Sequence, residues 1–101
     1  MKKTTFTIPT TDNHGKKFPA ATMDGIQQEI LKRFGGFTVK EVTGGWVDEQ
    51  GKSYIEHNLE YTIVMDDEAL ERLARWLKEI KDLLSQEAMW LEAHETETYT
   101  I

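Results

Sequence analysis

The chain has no cysteine among its 101 residues, which removes disulfides, thiolate metal sites and a cysteine nucleophile together. The absence fits a reducing compartment, so a cytoplasmic location is expected. Long apolar runs are also missing. No segment approaches the roughly 20 apolar residues of a membrane helix, and Met1–Thr5 does not lead into the apolar stretch of a signal peptide. Ser53 and Ser85 are the only serines, and neither lies in a Gly-x-Ser-x-Gly turn. Gly35-Gly36 and Gly44-Gly45 lack the spacing and the lysine of a phosphate-binding loop. Nucleophilic catalysis finds no support, and no cofactor is expected.

Positive charge is scarce in the second part of the chain. Residues 1–40 hold seven Lys and Arg against three Asp and Glu, a net +4; residues 41–101 hold five against fifteen, a net −10. An acidic sheet and helix argue against nucleic acid as a partner. At this length one domain is expected over residues 1–101, with a real core and no need for staples.

What is present is periodicity. Phe6 and Ile8 alternate with Thr5 and Thr7, predicting a short strand over 3–8 that Pro9 ends. Thr10–Ala20 is a polar loop. Thr22 is a plausible N-cap for a helix carrying Met23, Ile26, Ile30, Leu31 and Phe34 on one face, stopped by Gly35-Gly36. A second strand over 37–47 contains Gly44-Gly45, read as a bulge or bend. Asp48–Gly51 is a turn, and Trp46 packs under it. Ile55, His57, Leu59, Tyr61, Ile63 and Met65 then alternate with Tyr54, Glu56, Asn58, Glu60, Thr62 and Val64, placing the first set on the core side. Asp66-Asp67-Glu68 starts a helix over about 67–85, with Leu70, Leu73, Leu77, Ile80 and Leu84 as its stripe and Leu83 widening it. Glu68–Arg72, Glu71–Arg75 and Lys78–Asp82 have the i,i+4 spacing of helix-surface pairs. Residues 86–93 read either as a last strand, with Trp90, Glu92 and His94 outward, or as an extension of the helix.

The order β-α-β-β-α-β predicts an α+β, ferredoxin-like domain: a four-stranded antiparallel sheet with the first and third strands central and two helices on one face. Phe37-Thr38-Val39, Gly45-Trp46, Asp48, Gly51, Glu56 and Gln86-Glu87 resemble an uncharacterised family of small bacterial proteins. That family has a Phe-Thr-Val strand, a Trp-x-Asp-x-x-Gly hairpin turn and a Gly-Gln-Glu entry to its last strand. Ser85 stands at the glycine position. The resemblance implies the ferredoxin-like fold and no particular activity.

Candidate function concentrates on the sheet face that the helices leave open. Glu56 and Glu60 share one side of a central strand, and Glu92 and His94 one side of the last; carboxylates beside a histidine suit cation binding or proton transfer, although no metal-ligand spacing is matched. His57 reads as a core histidine near the hairpin end, beside Tyr61, with a general base as the sharper reading. An outward Trp90 marks a dimer contact or a ligand platform. The leading expectation is a non-catalytic, self-associating binding module, a homodimer or larger, that takes a small molecule or a protein partner, with no membrane contact. The alternative class is a small enzyme of the dimeric α+β barrel type, pairing His57 or His94 with Glu56 or Glu60.

Overall fold

The computed structural model describes all 101 residues. Six elements follow in the order β1 (Lys2–Pro9), α1 (Ala20–Phe34), β2 (Thr38–Val47), β3 (Ser53–Met65), α2 (Asp67–Leu83) and β4 (Leu91–Glu95). The strands form one antiparallel sheet in the order β2-β3-β1-β4, so β1 and β3 are central and the arrangement is ferredoxin-like. Residues 84–90 leave the helix without continuing it, so the last element is a strand, but it runs over Leu91–Glu95 and leaves residues 86–90, Trp90 included, outside it.

Period two explains the core. Phe6 and Ile8 of β1 and Tyr61, Ile63 and Met65 of β3 face the helices and are buried with Ile26 and Ile30 of α1 and Leu73, Trp76, Leu77 and Ile80 of α2. Phe6 stacks on Tyr61 with ring centroids 5.4 Å apart, and Phe37 meets the same tyrosine edge-on at 5.3 Å. Thr4, the one buried polar side chain, donates its hydroxyl to the Ile63 carbonyl at 2.7 Å and so carries no unmet bond.

Several sequence expectations change on contact with the tertiary structure. α1 begins at Ala20, after Pro19, not at Thr22; proline's fixed φ suits the entry to a helix. No bulge occurs at Gly44-Gly45, because β2 pairs with β3 one to one from Thr38↔Thr62 to Val47↔Ser53. Leu83 does not widen the α2 stripe; it is 66% exposed, on the flank turned from the sheet. None of the three i,i+4 pairs predicted on α2 closes to an ion pair. Arg72 instead donates to the Arg33 carbonyl and covers the Phe34 ring.

The end of α2 closes at Ser85. Ser85 adopts φ 55° while the Gln86 N–H reaches back to the Lys81 carbonyl at 2.9 Å, a left-handed closure of the helix. A side chain there costs roughly 1–2 kcal/mol that glycine avoids. Ser85→Gly is therefore expected to raise stability by about 0.5–1 kcal/mol after the extra chain entropy of glycine is subtracted. Urea denaturation checks it; an unchanged or lower midpoint would contradict the closure.

Candidate functional site

β3 is 13 residues long, and its Ser53–His57 end, with its β2 partners, runs beyond the helices as a hairpin. β1 pairs with β3 only as far as Pro9↔Asn58, so Tyr54–His57 have no neighbour on that side within the sheet. His57 is corrected by this geometry. Alternation does put it on the helix side, but no helix extends over it: it is exposed, as Ile55 is at 69%. Its Nδ1 lies 3.3 Å from the Thr43 hydroxyl across the hairpin, and its carbonyl accepts from both the backbone N–H and the hydroxyl of Thr10.

The turn organises the hairpin tip. Asp48 Oδ1 accepts from the Gln50 and Lys52 backbone N–H groups, its Oδ2 accepts from the Tyr54 hydroxyl, and Gly51 takes the φ of 82° that the turn requires. Register then sets Trp46 opposite Tyr54, and the rings stack at 4.3 Å and 13°. The indole does not pack under the turn. It stays 48% exposed and donates its N–H to Glu56 Oε1 at 3.2 Å. Trp46, Tyr54 and Glu56 thus form one connected group on the open face.

Beside them lies a cavity of about 710 Å³, closed by the loop over Thr11–Gly15 and by Gln86–Ala88. Its walls carry Trp46 and Tyr54 together with the carboxylates of Asp12, Glu56 and Glu87, and no lysine or arginine. Backbone N–H groups of His14, and next of Lys16, hold Asp12 below the ordinary carboxylate value, so it is charged at neutral pH. Asn13 Nδ2 donates to the Ser85 carbonyl at 3.0 Å, tying the loop to the end of α2 and fixing the far wall.

The other expected residues fall in separate places. Trp90, 64% exposed, donates its indole N–H to Glu92 Oε1 at 2.7 Å, and His94 Nε2 meets Glu92 Oε2 at 3.1 Å. The His94 contact first, and then the Trp90 contact, hold the Glu92 carboxyl below its ordinary range. Glu60 faces Lys40 at 3.5 Å. β1 separates the Glu92 group from Glu56 and Glu60, since Thr5 pairs with Glu92 on one side and Thr62 on the other. Tyr61 lies on the core side, where alternation puts it, and is closed to a ligand: its ring is fully buried beneath the helices, its hydroxyl donates to Gln27 at 3.2 Å, and burial pushes its pKa up. No three His, Asp or Glu side chains converge to hold a metal ion. Sequence reasoning missed Tyr54, Asp12 and Glu87. The signal for Tyr54 was available, because a hairpin centred on Asp48–Gly51 sets it across from Trp46.

The fold class is that of small ferredoxin-like domains. Searches found no matching family model and no matching curated protein. Among solved structures, a phage SAM lyase in complex with S-methyl-5′-thioadenosine superimposes with a TM-score of 0.70 and 16% identity, over 93% of this chain and 80% of that one. CutA from Pyrococcus horikoshii gives a TM-score of 0.67 at 14% identity, over 99% and 88% of the two chains. The PII-like protein CutA from Nostoc sp. PCC 7120 gives 0.66 at 14%, over 96% and 82%. Likeness at this identity establishes the shared fold. No helix is long and apolar enough to cross a membrane.

Proposed function

We propose that this chain is a self-associating binding module that captures a small ligand bearing a planar ring and a positive charge in the cavity at the root of its hairpin. The observation that carries the reading is the wall composition: Trp46, stacked on Tyr54, beside three carboxylates and no lysine or arginine in the lining itself, the nearest cation being Lys52, whose Nζ lies over the Tyr54 ring at 5.2 Å. A ring can stack on the free face of the Trp46 indole, with Tyr54, stacked on Trp46 and covered by Lys52, backing it, and carboxylates select cations. The fold neighbour that holds S-methyl-5′-thioadenosine supports a specific choice, S-adenosylmethionine, whose purine and sulfonium match the two features. A cytoplasmic bacterial or phage accessory protein is the setting this implies, in keeping with the resemblance of the Trp46-x-Asp48-x-x-Gly51 turn to the uncharacterised bacterial family.

Titration calorimetry tests the ligand. S-adenosylmethionine is expected to bind at least about tenfold tighter than neutral S-methyl-5′-thioadenosine, the share of one charge-assisted contact. Glu56→Gln should narrow that gap. Trp46→Ala should weaken both by about tenfold, within the range for stacking of a base. Equal affinities, or no heat from either, would refute the reading. The same mixture decides the alternative class, for which the lyase neighbour speaks: chromatographic appearance of S-methyl-5′-thioadenosine from S-adenosylmethionine would make the chain an enzyme, with Glu56, on the face of the cavity, as the first residue to examine.

Self-association uses the open face, and a second copy is its occupant. That face carries Lys3, Lys40 and His94 among Glu56, Glu60 and Glu92, with Thr5, Thr62 and Val64 between them, so it offers charges of both signs to a second copy of itself. Trp90→Glu would take the indole donor from Glu92 and set a like charge against it. Sedimentation is expected to show a dimer or larger for the parent chain and a smaller folded species for the variant. A monomeric parent at high micromolar concentration would end this part of the reading.

A further inference from the structure

A second cavity, of about 700 Å³, lies on the helix side of the same hairpin, between the 10–18 loop, the start of α1 and the β2–β3 pair. Its character differs from that of the acidic cavity. Phe18 and Met23 supply an apolar wall; Lys17 and Glu41 bring one charge of each sign; Thr43 and His57 contribute polar side chains, while Val42, whose side chain alternates to the open face, borders the cavity through its backbone. Neither Lys17 nor Glu41 forms an ion pair with the other or with any other group, so both charges remain free for a ligand. The loop presenting Lys17 is held in shape. Thr11 and Lys17 form an isolated antiparallel bridge, the Phe18 N–H donates to the Thr10 carbonyl at 3.0 Å, and Asp12 Oδ1 accepts from the His14 and Lys16 N–H groups. Phe18 packs against the core and anchors the loop's return.

We infer that this cavity binds a small zwitterion with an apolar side chain, of the free α-amino acid class. The carboxylate would meet Lys17 and the threonine hydroxyl, the ammonium would meet Glu41, and the side chain would lie on Phe18 and Met23. A purely anionic or purely cationic ligand leaves one of the two free charges facing a like or neutral group; a zwitterion satisfies both, and each charge-assisted contact adds to affinity. The site does not depend on the reading given to the acidic cavity, although Thr11, His57 and Asn58 border both.

NMR titration with L-methionine, N-acetyl-L-methionine and L-methioninamide tests it. L-methionine is expected to shift the backbone amides of Phe18, Thr43 and His57 with millimolar affinity, and each blocked form should bind at least about tenfold more weakly, the loss of one charged contact. Lys17→Gln should abolish the preference for methionine over methioninamide and leave the preference over the N-acetyl form. Glu41→Gln should do the reverse. Both residues are exposed, so the variants are expected to fold, and Lys16→Gln on the same loop should change neither preference. Absence of shifts at those amides would overturn the inference. So would N-acetyl-methionine or methioninamide binding as well as the free amino acid, or either preference surviving its variant. Because Phe18 and Thr43 line this cavity and not the acidic one, their shifts distinguish failure here from failure of S-adenosylmethionine binding.

Discussion

Phe6→Ala should lower the unfolding free energy by about 3–5 kcal/mol, the largest loss expected from any single substitution in the chain. Phe6 is fully buried at the centre of β1, stacked on Tyr61 and paired in register with it, while Leu91 of β4 lies opposite on its other side. Truncation removes a ring from a site hemmed by both central strands and both helices, so little of the surroundings can move in to fill it. The aromatic pair adds about 0.5–1.5 kcal/mol beyond the area buried. A domain of this kind has roughly 5–15 kcal/mol in total, so the variant should unfold at much lower denaturant. A loss under about 1 kcal/mol in urea melts would show that β1 is not the centre of the core.

Leu73→Ala is the second large effect, at about 2–5 kcal/mol. Leu73 is fully buried on the face of α2 turned to the sheet, among Trp76, Leu77 and Ile80. Leu83, on the same helix, is the internal control. It is 66% exposed, and Leu83→Ala should stay within the surface range of about 0.5 kcal/mol. Comparable losses at the two positions would mean that the helix is rotated from the orientation described. The entry to α2 is secure in either case, since Asp66 caps it by accepting from the Ala69 N–H at 2.8 Å.

The contrast between Leu73 and Leu83 shows how far sequence reasoning reaches. Alternation through β3 identified which side of the strand each residue occupies, and Tyr61, Ile63 and Met65 are buried accordingly. Alternation carries no information on where the covering helices stop, which is why Ile55 and His57 share the core side but are exposed. Leucine spacing located the α2 stripe, yet the width of a stripe depends on the partner surface, and at Leu83 there is none. The left-handed backbone at Ser85 was not legible, since serine does not mark a positive φ as glycine does. The site was less legible than the fold. Glu56 was named from its place on the strand, but Asp12 and Glu87, 75 positions apart in the chain, reach one cavity only because the Asn13–Ser85 bond draws their segments together.

The pairing of β1 has a consequence for the order of folding during synthesis. β2, β3 and their turn are contiguous, and the Asp48 bonds close them within a few residues, so the hairpin can form as soon as it leaves the ribosome. β1 is made first and finds its partners last. Its contacts with β3 wait for Met65, and those with β4, from Lys2↔Glu95 to Phe6↔Leu91, wait for residue 95. Before β3 is made Phe6 and Ile8 travel on an unpaired strand, and from then until residue 95 the other edge of β1 stays open. Nascent chains stalled before residue 91 should therefore expose a sticky β1 edge and be the species most prone to aggregate or to recruit chaperones.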